Sequence, residues 1–244
     1  MRMFAGPNGS GKSALKSVLP AELLGVYLNP DEIEAQIRRD GWLAVTDFGI
    51  NTTADEVLGF LANAPLLVNA GCADQVRRLE FAEGRLGFHG VLVDAYYASA
   101  IVEFLRENLL VQQASFTVET VMSHPSKVAL LEKAQQAGYR TYLYYIATDD
   151  PAINVSRVAN RVKLGGHPVP SDRIQQRYHR SLALLRDAIR HTNRAYIFDN
   201  SGDNADHRHT WLAEITDGRE LELKADLIPA WFRRAVLDQI LPGR

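Results

Sequence analysis

The stretch GPNGSGKS, Gly6 to Ser13, stands between a short apolar run at residues 1–5 and a helix-forming segment that begins at Lys12 and meets Pro20. A buried strand, then this turn, then a helix leaves the chain little choice of local structure. Glycine accepts the positive φ angles that let a backbone curl, and the curl turns successive N–H groups toward one point, where an anion can sit. The spacing satisfies G-x-x-x-x-G-K-[ST], the phosphate-binding loop (P-loop), in the strand-to-helix context that its geometry requires. In such a loop Gly6, Pro7, Asn8, Gly9, Ser10, Gly11 and Ala14 surround the phosphates. Lys12 supplies a point charge for the β and γ phosphates, and the Ser13 hydroxyl ligates Mg²⁺. The expectation is a chain that binds ATP with Mg²⁺.

The rest of the sequence extends this unit. Residues 25–29 read as a second strand, with Pro30 and Asp31 opening a helix that carries Ile33 and Ile37 on one face, so that a βαβ unit is complete. Further strands are predicted at residues 115–121, 141–147 and 195–198, and helices at 125–136, 151–164 and 171–191. Residues 214–226 read as a hairpin about Asp217-Gly218, followed by a terminal helix opened by Pro229. Residues 41–110 read as mostly helical, with breaks at Pro65, Gly71, Gly84 and Gly90. Strands alternating with helices predict an α/β fold with a mainly parallel sheet flanked by helices. The expected organisation is one P-loop kinase-like domain over residues 1–244, with a helical insertion at 41–85 and a lid with arginine-bearing helices at 157–180.

Composition narrows the setting. A chain of 244 residues, 46% hydrophobic and 23% charged, has the make-up of an ordinary globular protein. A formal net charge of -2 gives no general reason to expect nucleic acid or an anionic membrane as partner. Cys72 is the single cysteine, and neither a leader-like apolar segment nor a run of 18 apolar residues occurs, so a cytoplasmic protein is expected. Charge is uneven along the chain, however. From Arg157 to Arg194, eight arginines and Lys163 stand against only Asp172 and Asp187.

A guanine-reading N-K-x-D motif and an L-S-G-G-Q signature are both missing, which turns the reading from GTPases and ABC ATPases toward small-molecule kinases. Such an enzyme needs a carboxylate beside the acceptor hydroxyl and cations on the transferred group. Asp31, at the end of the second strand, is the candidate base, with helix capping as its plain alternative. Glu119, with Thr120 beside it, ends another predicted strand, where it could hold the acceptor or act as base itself. Arg157 and Arg161 lie four residues apart on one helix face, and Arg173, Arg177 and Arg180 form a second stripe beyond the glycine- and proline-rich residues 164–170. Arginines delivered by a closing lid would stabilise the transferring phosphoryl group and exclude water. Asp149 and Asp150 could hold Mg²⁺ through water, but Asp150-Pro151 before a helix reads first as a cap. Asn200, in FDNS, ends the last strand near where a nucleotide base would rest, and a polar turn is the equal alternative. His207 and His209 read as surface residues.

Taken in order, GPNGSGKS, NPDEI, FTVETVMS, RVANRVKLGGHPVPSDRIQQRYHRS and FDNS resemble the zeta-toxin family of P-loop kinases. The resemblance implies a P-loop kinase core that phosphorylates UDP-N-acetylglucosamine on the amino sugar. It implies Lys12 and Ser13 at the phosphates and Mg²⁺, Asp31 as general base, Glu119 and Thr120 at the sugar, and Arg157, Arg161 and Arg177 on the transferred group. It also implies a small separate helical antitoxin protein as partner. Two departures stand out: Glu32, Ile33 and Glu34 follow Asp31 where the family carries an arginine, and residues 41–85 lengthen the chain before Glu119. A kinase for another small hydroxylated acceptor (a nucleoside, a dinucleotide or an antibiotic) and a nucleotide-dependent binding module remain the alternative readings.

Overall fold

The computed structural model describes residues 1–16, 19–166, 168–202 and 209–240. Two compact units are present, one formed by Met1–Leu24 with Val118–Arg244, the other by Gly25–Thr117. The chain starts in the first with β1 (Arg2–Ala5), the glycine loop, α1 (Lys12–Leu15) and α2 (Ala21–Leu24). The second holds β2 (Val26–Leu28), α3 (Pro30–Asp40), β3 (Trp42–Ala44), α4 (Ala54–Asn63), α5 (Pro65–Asn69), β4 (Glu80–Ala82), β5 (Arg85–Gly87) and α6 (Ala95–Val111). The first resumes within β6 (Phe116–Thr120) and adds α7 (Ser126–Gln136), β7 (Tyr142–Ala147), α8 (Pro151–Lys163), α9 (Ser171–Arg190), β8 (Arg194–Asp199), β9 (Thr210–Thr216) and β10 (Glu220–Leu223). A terminal helical segment follows Pro229.

The first unit is built on strands in the order β10-β9-β8-β7-β1-β6. β1 and β8 run parallel to β7, while β9 and β10 are antiparallel additions at the edge. This is the mainly parallel, helix-flanked sheet that the alternation of elements predicts. Strands covered on both faces should read as continuous apolar runs, and β7 does: Leu143, Tyr145, Ile146 and Ala147 are each 0% exposed. Register then fixes the functional rim. Ala5 pairs with Tyr145 and Ala147 with Asp199, so the segments leaving β1, β7 and β8 emerge side by side.

α9 is held to this sheet by a face of Ile174, Tyr178, Ser181, Leu185 and Ala188. Two polar anchors fix its rotation: Tyr178 donates from its hydroxyl to the carbonyl of Thr148 at 2.6 Å, and the hydroxyls of Tyr145 and Ser181 lie 3.0 Å apart. The predicted hairpin forms as β9–β10, with Asp217 and Gly218 both at positive φ, the twist a two-residue turn needs.

In the second unit the peptide N–H of Val26, which opens β2, donates to the carbonyl of Ser115 at 3.0 Å. α3 is capped by Asn29, whose side chain accepts from the Asp31 N–H, and closed by Gly41. The segment expected to be helical is helical in large part, with short strands added. α4, with a Thr53/Glu56 capping box, and α5 are helical, but residues 41–85 also supply β3 and β4 and the start of β5, an antiparallel sheet in the order β3-β5-β4. Glu83 and Gly84, at φ 51° and 74°, turn β4 into β5, and the Arg85 guanidinium stacks 4.6 Å from the Trp42 ring centre.

Candidate active site

The glycine loop leaves β1 and doubles back into α1, and its polar groups divide into two sets. Lys12 is 9% exposed, and its Nζ donates to the carbonyls of Gly6 (2.9 Å) and Pro7 (3.0 Å), so the ammonium lies inside the curl of the loop. The carbonyls of Asn8 and Ser10 point the other way. The first accepts from Asn154 Nδ2 at 2.6 Å, the second from Asn200 Nδ2 at 2.8 Å. Both contacts need glycine beside them. A methyl group on Gly9 would lie 2.6 Å from the carbonyl oxygen of Asn154, and one on Gly11 would lie 2.4 Å from Asn200 Nδ2, each at a positive φ.

Two side-chain atoms of the loop, Asn8 Oδ1 and Ser10 Oγ, are buried without a hydrogen-bond partner among the described residues. Buried polar atoms are nearly always paired; the Ser10 hydroxyl, beside the lysine, can donate to an oxyanion held in the loop, whereas Asn8 Oδ1 can only accept. The Ser13 hydroxyl is exposed in the first turn of α1. No cluster of three or more His, Cys, Asp or Glu side chains suited to a metal occurs among the described residues. The Ser13 hydroxyl is the side chain of this loop whose chemistry suits magnesium.

Segments from the ends of β7 and β8 brace the loop. Asn154, on α8, is fully buried and receives a hydrogen bond from Thr148 Oγ1. Asn200 is anchored through its backbone, its N–H donating to the carbonyl of Ala147 at 2.8 Å. Arg157 grips the same turn, with Nη1 donating to the carbonyl of Asn200 at 2.8 Å and Nη2 to that of Gly202 at 3.2 Å. Asp199 accepts from Ser201 N–H, Ser201 Oγ and Trp231 Nε1, while Asp149 accepts from the Trp231 N–H. Asp150 accepts from the Ala152 N–H at 2.7 Å as the cap of α8.

Among the expected site residues, Gly6 to Ala14, Asn200 and Arg157 are thus brought together by direct contacts or through the loop. Arg161 is exposed on α8, its stem against Gly166, where an added methyl would lie 2.7 Å from Arg161 Cγ. Arg177 is half-buried on α9, and Arg173 and Arg180 are exposed. Part of the expected lid, His167, lies outside the described residues, as does His207. Glu119 and Thr120 are half-buried at the end of β6, where Thr120 Oγ1 accepts from the Met122 N–H at 3.1 Å. Asp31 belongs to the second unit. It is exposed in the first turn of α3, and Asn29 rather than Asp31 caps that helix. His209, expected at the surface, is half-buried, its Cε1 3.4 Å from where a methyl on Gly11 would stand. Asn154 was missing from the sequence reading. Its one sequence signal is a poor helix former four residues after the capping aspartate, on the stripe that leads to Arg157.

The fold and this loop define an α/β protein of the P-loop kinase-like class. Within that class, residues 95–210 match the family model of the Zeta toxin, so the resemblance carried by the motifs holds over the part that contains Glu119, Thr120, Arg157, Arg161, Arg177 and Asn200. The chain is similar in fold to the AvrRxo1-ORF1:AvrRxo1-ORF2 structure with sulphate ions, with a TM-score of 0.55 and 14% identity over 91% of this chain and 60% of that chain. It is likewise similar to the AvrRxo1-ORF1:-ORF2 structure with ATP, at a TM-score of 0.51 and 13% identity with the same coverage. A Haemophilus influenzae protein, named only "Uncharacterized protein", is 33% identical over 67 residues, 28% of this chain and 48% of that protein. The chain spans about half the length of this curated relative and 60% of the two solved chains. No helix among the described residues is long and apolar enough to cross a membrane.

Proposed function

We propose that this chain is an ATP-dependent phosphotransferase of the zeta-toxin kind, acting in the cytoplasm on a hydroxyl of UDP-N-acetylglucosamine or a related nucleotide sugar, as the toxin of a toxin–antitoxin pair. The observation that carries the reading is the loop itself. It curls around Lys12, buries a Ser10 hydroxyl that has no partner among the described residues and can donate to a phosphate, and is closed to larger side chains at Gly9 and Gly11. The Zeta toxin match supports the kinase class, and the solved neighbour with ATP supports the donor. The neighbours pair an ORF1 with an ORF2, which supports a second protein as partner; in this reading that partner is a small helical antitoxin.

In this reading Lys12 turns from the loop carbonyls to the β and γ phosphates, the backbone of Gly6 to Ala14 surrounds them, Ser13 holds Mg²⁺, and Asn200 borders the nucleotide. Bound Mg²⁺ would neutralise negative charge on the phosphates. Glu119 and Thr120 hold the acceptor. Asp31 takes the proton of its hydroxyl as the oxygen bonds to the γ phosphorus and the bond from that phosphorus to ADP breaks. Arg157, Arg161 and Arg177 balance the charge on the equatorial oxygens, where preorganised donors act most strongly.

The test is incubation with Mg·ATP and a panel of nucleotide sugars, nucleosides, dinucleotides and antibiotics, read by mass spectrometry for one added phosphate. UDP-N-acetylglucosamine or a relative should gain it. Labelling of another acceptor class would replace the substrate, and ATP binding without labelling would replace the kinase with a binding module. The Asp31→Asn variant should keep its ATP affinity and lose at least about 10²-fold in transfer, the scale of a lost general base. Unchanged transfer would move the base to Glu119.

A further inference from the structure

The peptide plane makes the two ends of each amide group opposites: in a trans peptide the carbonyl of one residue and the N–H of the next point in opposite directions. No cis peptide bond occurs among the described residues. The carbonyl of Asn8 shares its plane with the N–H of Gly9, and the carbonyl of Ser10 shares its plane with the N–H of Gly11. Whatever fixes those two carbonyls outward therefore fixes two N–H groups inward, and whatever releases them lets a carbonyl dipole face the anion. In this protein two side-chain amides do the fixing, Asn154 on Asn8 (2.6 Å) and Asn200 on Ser10 (2.8 Å).

Asn154 is the more deliberate of the two. It is 0% exposed on an amphipathic helix, a position that otherwise favours an apolar residue, and its amide is oriented by a hydrogen bond from Thr148 Oγ1, itself 0% exposed. That bond makes the side-chain oxygen the acceptor, which turns Nδ2 to the loop. Its place on α8 adds a second consequence. At 100° per residue, Arg157 and Arg161 follow Asn154 at i+3 and i+7, within about 60° of it around the axis. The same helix face thus touches the loop, grips the Asn200 turn through Arg157, and presents Arg161.

Resting on the nucleotide reading above, we propose that Asn154 is a positioning residue for the phosphates of the nucleotide. With Asn200 it holds the carbonyls of the loop outward, and it sets the arginine face of α8 in register with the loop. Asn154 does not touch the nucleotide. It acts through the Asn8–Gly9 peptide.

The test is ATP affinity of the full chain by calorimetry, with thermal unfolding followed alongside. Asn154→Leu keeps the volume and removes the donor, and Thr148→Val removes the bond that orients the amide while preserving shape. Each should weaken ATP binding by about tenfold, and Thr148→Ser, which restores the hydroxyl, should bind ATP as the wild type does. A residue that serves only packing would lower the melting temperature and leave the dissociation constant of the folded protein unchanged. That outcome in both variants overturns the inference, and Thr148→Val decides if Asn154→Leu does not fold. A wild type that binds no ATP overturns the nucleotide reading and this inference with it. A wild type that binds ATP as tightly as both variants overturns this inference alone.

Discussion

Gly9 carries a φ of +73° with a carbonyl oxygen 2.6 Å from the place a methyl would take, so alanine there meets two separate penalties. The left-handed backbone costs a non-glycine residue about 1–2 kcal/mol, and the crowding comes from backbone, which cannot swing aside. Gly138 separates the two effects, because its φ is +84° and nothing lies within 4 Å of the added methyl. Gly138→Ala should therefore show the strain alone, a fall in melting temperature of about 2–8 °C for a chain of this size, with ATP affinity unchanged. Gly9→Ala should melt lower still and lose at least about tenfold in ATP affinity, since the displaced group is the Asn154 end of the loop brace. Equal behaviour of the two variants by scanning calorimetry and ATP titration would mean that the close approach at Gly9 has no bearing on the site.

α8 shows how an element can be set by its cap and used by its fourth residue. Asp150 accepts from the Ala152 N–H and Pro151 opens the first turn, so the helix begins at a defined point and Asn154 arrives at the loop in register. Removing the cap in Asp150→Ala should cost about 1 kcal/mol, seen as a fall of about 2–4 °C in melting temperature. A smaller loss of ATP affinity than in Asn154→Leu should accompany it, because the first turn loosens while its buried contacts persist. Full ATP affinity with the expected melting shift would show that the start of α8 need not be fixed for the loop to bind. The start of α8 was legible in the sequence for the reason that makes it testable: an aspartate before a proline acts locally. β1, the glycine loop and β7 were legible on similar grounds, through glycine spacing and an unbroken apolar run. β3, β4 and β5 were not. Each is three residues long, too short for alternation to register, and their pairing depends on partners distant in the chain and on the Glu83-Gly84 turn. Asn154 was hidden for a different reason: a buried asparagine and an exposed one are the same letter, and only the arrival of the Asn8 carbonyl distinguishes them.

Across the whole molecule, both units bury tyrosine hydroxyls, and this sets a limit on the alkaline side. In the second unit Tyr97, 1% exposed, donates to the carbonyl of Cys72 at 2.9 Å, and burial pushes its pKa up to about 12. In the first unit Tyr178 donates to Thr148, and burial, followed by the nearby Asp149 carboxylate, pushes it up to about 12. Burial drives Tyr145 higher still, against the opposing hydrogen bond with Ser181. An unfolded tyrosine ionises near pH 10. With folded values above that, the native state keeps the proton that the unfolded state gives up. The contribution of these groups is thus complete below pH 10 and is lost as pH rises from 10 toward 12. The melting temperature should stay level from neutral pH to about 10 and then fall, with the tyrosinate absorbance of the buried groups appearing together with unfolding rather than before it. Tyr178→Phe makes the linkage specific. It should melt lower than the wild type at pH 7 through the lost hydrogen bond to Thr148, worth about 1 kcal/mol, yet fall less steeply above pH 10 because one linked proton is gone. Parallel curves for wild type and variant across that window would show that Tyr178 ionises as readily folded as unfolded, and that the anchor of α9 beside the loop carries no penalty at high pH.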